Sequence, residues 1–199
     1  MKRVVIGWGC AALLAASLSS LPAAAQQALV VRPLVERKVA ELPAGELWWR
    51  LETFPTQKEA HAAAETWSLV AESAGKVWLF TLGSPGRSSP GGTKVSEVGP
   101  IPRVAATQYL LRINEASGPP GSITRVHSHP GSEAFFVLAG EQSIRGAHGT
   151  MIVKAGQPQA GHGADMAMQV ASSGAVDLHA LVLFVVDASR PFSSPASLP

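Results

Sequence analysis

Apolar and polar positions alternate along this chain in many short segments rather than a few long ones. From Thr107 onward, "TQYLLRINEA", "SITRVHSH", "EAFFVLAG", "EQSIRGAH", "GTMIVKAG", "DMAMQVAS" and "VDLHALVLFVVDA" follow one another, with Gly, Pro, Ser and Asn between them. Short strands at such close spacing predict an antiparallel sandwich or barrel. Upstream, the region from Leu29 to Leu42 reads as extended, with Pro33 marking an edge or a start. "GELWWRLETF" (45–54) and "KVWLFTL" (76–82) read as strands. Between them, "PTQKEAHAAAETWSLVAES" (55–73) predicts a helix. Pro55 and Thr56 form its entry, alanines fill it and Gly75 ends it.

"GSPGRSSPGGTK" (83–94) predicts a long surface loop rather than a domain linker, because the segment before it has too little apolar alternation to fold alone. No internal repeat is visible, which argues against a duplicated two-barrel protein. The organisation expected is a leader over 1–25, a β/α extension with its Gly/Pro-rich loop over 26–104, a β-barrel over 105–188 and a flexible tail over 189–199.

The leader changes how the composition is read. "MKRVVIGWGCAALLAASLSSLPAAAQQ" opens on Lys2 and Arg3, continues apolar and reaches Ala23-Ala24-Ala25 before two glutamines. That is the pattern of a secretory signal peptide with an A-x-A cleavage site, so an exported protein, periplasmic or secreted, is expected. Cleavage after Ala25 removes two of the sixteen basic residues and the only cysteine, Cys10. Fourteen basic residues then face fourteen acidic ones. A neutral, thiol-free chain suits an oxidising compartment, offers no basic patch for nucleic acid and excludes cysteine chemistry. No membrane span is expected after cleavage.

The candidate chemistry lies in "GSITRVHSHPGSEAFFVLAG", Gly121 to Gly140. On a strand, His127 and His129 point to one side and lie roughly 6–7 Å apart along it. Pro130-Gly131-Ser132 turns the chain, and Glu133 opens the next strand and can return to the same point. Two neutral imidazoles and a carboxylate suit a divalent transition metal (Fe, Mn, Cu, Zn or Ni) with positions left open for a ligand. Phe135, Val137 and Ala139 share the face of Glu133 and would make the surroundings apolar. No H-E-x-x-H helix, phosphate-binding glycine loop or G-x-S-x-G elbow is present.

The spacing G-x5-H-x-H-x3-E-x6-G, met by Gly121, His127, His129, Glu133 and Gly140, resembles the first motif of the cupins. The resemblance covers roughly residues 105–188. It implies a mainly β fold, a cupin-type antiparallel barrel (a double-stranded β-helix or jelly roll) with the site inside, here carrying an N-terminal β/α extension. It also implies a further histidine from a second motif. Here that motif is degenerate: Met168 stands where the histidine belongs, Ser172 at the Asn position, and Gly163 and Asp165 at the Pro and Gly positions. His162, in the loop before, is the candidate replacement, and the Met168 thioether is a softer alternative.

The expected metal ligands are therefore His127, His129, Glu133 and His162. His179 reads as a satisfied core histidine or as an acid/base group inside the barrel. His148 reads as a turn residue, His61 as a surface residue, and Trp48, Trp49, Trp67 and Trp78 as packing residues. Because cupins include both enzymes and binding proteins, two function classes remain open. One is a metal-dependent enzyme of the oxygenase or isomerase type acting on a small organic molecule. The other is a non-catalytic barrel that binds a small ligand, with or without metal. The extension is expected to pack on the barrel or to carry a homodimer contact, since edge strands need cover.

Overall fold

The computed structural model describes residues 27–199. The expected leader, with Cys10, lies outside them. In chain order the elements are β1 (Val30–Val39), β2 (Leu47–Phe54), α1 (Gln57–Ala63), β3 (Ser68–Ser73), β4 (Lys76–Gly83), β5 (Thr93–Ile101) and β6 (Tyr109–Gly118). They continue as β7 (His127–Ser128), β8 (Gly131–Ala139), β9 (Glu141–Gly146), β10 (Gly149–Lys154) and β11 (Pro158–Ala160). The last are β12 (Met168–Ser172), β13 (Leu178–Asp187) and β14 (Ser194–Pro195). They form three antiparallel sheets, ordered β1-β6-β13-β8-β11, β10-β9-β12-β7-β14 and β3-β4-β2-β5.

The first two sheets face each other as a barrel, and the third packs on the outer face of the first. The sequence of β13, "LHALVLFVVD", shows why. It is an almost unbroken apolar run, as expected of a strand covered on both faces. Ala180, Val182, Phe184 and Val186 point into the barrel core with Phe135, Val137, Ile144 and Val170. Leu181, Leu183 and Val185 point outward and bury against Trp49, Trp78 and Phe80 of the third sheet. The mainly β, cupin-type barrel with an N-terminal β/α portion is thus realised as a three-layer arrangement.

The helix expected over 55–73 is only α1, about two turns long. Thr56 caps it, its hydroxyl accepting from the Glu59 amide. The alanines end at Ala64, and Trp67-Ser68-Leu69-Val70 then prefers a strand that can bury Leu69 in the inter-sheet core. Ala74 and Gly75, both at positive φ (51° and 67°), make the two-residue turn that returns β3 into β4. Gly75 therefore closes a hairpin, not a helix.

Two segments outside 105–188 join the barrel. β1 is the outer strand of the first sheet, paired along its length with β6. At the other end β14 pairs with His127 and Ser128 of β7, so the last residues are held against the barrel. The loop over 83–92 is anchored as well. The buried Glu52 carboxylate accepts from the Ser89 amide and hydroxyl, both at 2.7 Å, and from Arg50 Nε at 2.9 Å. Burial alone raises the Glu52 carboxyl, but these hydrogen bonds outweigh it and hold the group below its ordinary range.

Candidate functional site

Two glycines of this stretch, Gly131 and Gly140, are explained by backbone contacts. A Cβ on Gly131 would lie 2.2 Å from the Val185 carbonyl oxygen, so only glycine lets β8 start this close to β13. Gly140 sits at φ +75°, and a Cβ there would meet the Asp177 carbonyl at 2.6 Å. Between these fixed points β8 alternates strictly, Ala134 and Phe136 outward, Phe135 and Val137 inward. That register places Glu133 on the inward face.

A cavity of about 350 Å³ opens between the two barrel sheets. Its apolar walls include Phe135, Val170, Val182, Phe184 and Phe192, and its polar groups include Arg112, Arg125, His127, His129 and Glu133. The His127 and His129 rings lie 5.0 Å apart, centre to centre, at 87° to each other. Each ring has its Nδ1 on a backbone carbonyl, His127 on Arg125 at 2.8 Å and His129 on Phe192 at 2.6 Å. A carbonyl only accepts, so each Nδ1 carries a proton, and a ring that is neutral has its lone pair on Nε2. Burial lowers the His129 pKa to about 4, against the upward pull of the Phe192 carbonyl, so this ring is neutral at pH 7.

Glu133 is fully enclosed, and burial raises its carboxyl against the lowering influence of His162 and His127. Its Oε1 has no hydrogen-bond partner. The nearest basic atom is His162 Nδ1 at 3.9 Å, too far for a hydrogen bond and likewise without a partner. His162 does not line the main cavity. It borders a separate cleft with His148, Thr150 and Met151, and its Nε2 faces Gly146.

Met168, at the position of the expected third histidine, lies opposite His127 in the β12–β7 pairing and is buried in the barrel core. His127, His129 and Glu133 thus share one cavity while His162 stands outside it. Among the described residues, no three His, Cys, Asp or Glu side chains gather closely enough to hold one ion. The donor types suit a divalent metal, but their arrangement is not a formed coordination sphere.

His179 does not enter the barrel. It shares the outward face of β13 with Leu181, and its Nε2–H donates to Glu115 Oε1 at 2.6 Å. Ser73 of the third sheet donates to the same oxygen at 2.5 Å, and Arg32 binds the other. His179 is thus a satisfied histidine at the seam between layers. Sequence reasoning missed Arg112 and Phe192. Arg112 sits in "YLLRINEA", where its alternation with Leu111 and Ile113 places it on the inward face, a signal the sequence did carry. Phe192, in a tail that looked unanchored, gave no such signal.

Two facing antiparallel sheets, a cavity between them and the H-x-H-x3-E residues on its wall define a cupin-type barrel protein. No family model and no curated protein matches the sequence. Among solved structures, a cupin-like protein of Thermotoga maritima is 16% identical with a TM-score of 0.39, covering 44% of this chain and 65% of its own. A double-stranded β-helix protein of Klebsiella pneumoniae is 20% identical with a TM-score of 0.38, covering 44% and 75%. The DMSP lyase DddQ of Ruegeria pomeroyi is 22% identical with a TM-score of 0.38, covering 43% of each chain. The chain thus spans between about two fifths and three quarters of the length of these proteins.

Proposed function

We propose that this protein is an exported cupin-type barrel that binds a small organic molecule in the cavity between its sheets. The observation that carries this reading is the cavity itself, about 350 Å³ with three phenylalanines and a few convergent polar groups. That is the low end of the volume and the usual lining of a small-ligand site, roughly 300–1,000 Å³. Phe135, Phe184 and Phe192 supply apolar area. The two Nε2 atoms offer hydrogen-bond acceptors whose direction is fixed by the carbonyls behind them.

A second reading, the metal-dependent enzyme, is favoured by those free Nε2 lone pairs and the partnerless Glu133 Oε1. In it His127, His129 and Glu133 would hold a divalent metal, with His162 outside the site as it stands. A metal there would supply Lewis-acid or redox chemistry to a ligand already seated in the cavity. The side chains must draw closer than they do in this structure.

Metal analysis of the purified protein, after exposure to iron, manganese, copper, zinc and nickel, tests the second reading. No stoichiometric metal in wild type would remove it and leave the binding barrel. One equivalent that is lost in both His127→Ala and His129→Ala would establish the site that the enzyme reading requires.

A further inference from the structure

Among the described residues Arg112 is the only guanidinium of the first barrel sheet to line the cavity, and its surroundings fix its direction. Its Nε donates to Asn114 Oδ1 at 2.8 Å, two residues along β6 on the same face. The Phe192 ring covers it, with the guanidinium carbon 4.1 Å from the ring centre. Nη1 reaches Glu36 at 3.2 Å, but the Glu36 side chain is half exposed, so this pair is weak. Among the described residues Nη2 has no hydrogen-bond partner. A guanidinium stays charged at any physiological pH. Held by an amide, stacked on an aromatic ring and left with free N–H groups at a cavity, it is prepared for a planar anion.

The sheet register gives the anion site its geometry. Phe184 is the cross-strand partner of Arg112 on one side and of Glu133 on the other. The three form a row across the inward face, the outer two about 10 Å apart at the strand spacing. No ion pair links them. Apolar Phe184 lies between, with Val182 beside it along β13. Arg125 adds a second, exposed cation at the cavity.

We propose that the ligand is a small carboxylate with an apolar or aromatic body, its carboxylate on Arg112 and its body over Phe184. This deepens, and rests on, the small-molecule reading above. The test is calorimetric titration of the purified protein with two matched pairs, benzoate against benzamide and hexanoate against hexanamide. Each carboxylate should bind about tenfold or more tightly than its amide. Arg112→Gln should bring that ratio to about one, while Arg112→Lys keeps part of it. Raising salt should weaken carboxylate binding to wild type and leave amide binding alone, a measurement that needs no variant to fold. If the amides match the acids in wild type, the anion assignment fails and the small-molecule site survives. A ratio that persists in Arg112→Gln removes Arg112 as its reader. Binding of none of the four probes overturns both readings.

Discussion

At the scale of single residues, the chain uses carboxylates in two different ways. Glu133 is buried without a hydrogen bond to Oε1, whereas Glu115 at the layer seam is saturated by Ser73, His179 and Arg32. Burial raises the Glu115 carboxyl, yet these donors prevail and its native pKa lies below the ordinary value. A carboxyl depressed in the folded state binds fewer protons there than in the unfolded chain. Its contribution is complete above the unfolded value of about 4.5 and is lost as pH falls through the lower native value. The melting temperature of wild type should therefore drop more steeply than that of Glu115→Gln between about pH 5 and about pH 3. Equal slopes would mean that Glu115 is not held ionised. The glycine at the start of β8 makes a different demand. Gly131→Ala places a methyl against the Val185 backbone, and a destabilisation of several kcal/mol, on the order of 3, is expected in denaturant unfolding.

At the scale of elements, the first and last described strands, β1 and β14, edge the two barrel sheets. Phe192, between β13 and β14, stacks on His129 and Phe184, covers Arg112 and gives its carbonyl to His129 Nδ1. Removing residues 189–199 should lower the melting temperature by roughly 5 °C, as expected for losing a half-buried aromatic contact. It should also change the His129 ring-nitrogen shifts in NMR, because Nδ1 loses its acceptor. Unchanged shifts would show that the tail does not set the tautomer. In the third sheet, Glu52 ties β2 to the 83–92 loop. Glu52→Ala leaves Arg50 buried without its carboxylate and should cost about 3 kcal/mol or more, read from urea unfolding.

At the scale of the whole molecule, β6, β8 and β13 belong to two cores at once, one facing the barrel and one facing the third sheet. Layers that share strands cannot unfold separately without exposing a common apolar face. Trp78, fully buried between the layers, should therefore report on both. Trp78→Ala is expected to cost about 3–5 kcal/mol and to lower one cooperative transition, seen alike by near-UV dichroism and by calorimetry. Two separated transitions would show that the N-terminal layer is an independent unit.

The sequence by itself determined most barrel strands between Tyr109 and Asp187 and the common face of His127 and His129, because side-chain alternation is a local property. It also carried the doubly covered nature of β13 in its unbroken apolar run. It could not determine that 68–73 is a strand rather than the end of a helix. That outcome depends on Leu69 burying, beside Trp78 of its own sheet, in the core shared with Leu181 of the first sheet, and such burial outweighs a few tenths of a kcal/mol of helix propensity. Only the tertiary structure decided the composition of the cavity. Arg112, His129, Phe184 and Phe192 come from four separate segments, and their meeting depends on how sheets and tail pack. The placement of His162 was decided there too. Backbone pairing of Gly161 and His162 with Glu133 holds His162 Nδ1 3.9 Å from Glu133 Oε1, while its ring borders the cleft of His148, Thr150 and Met151.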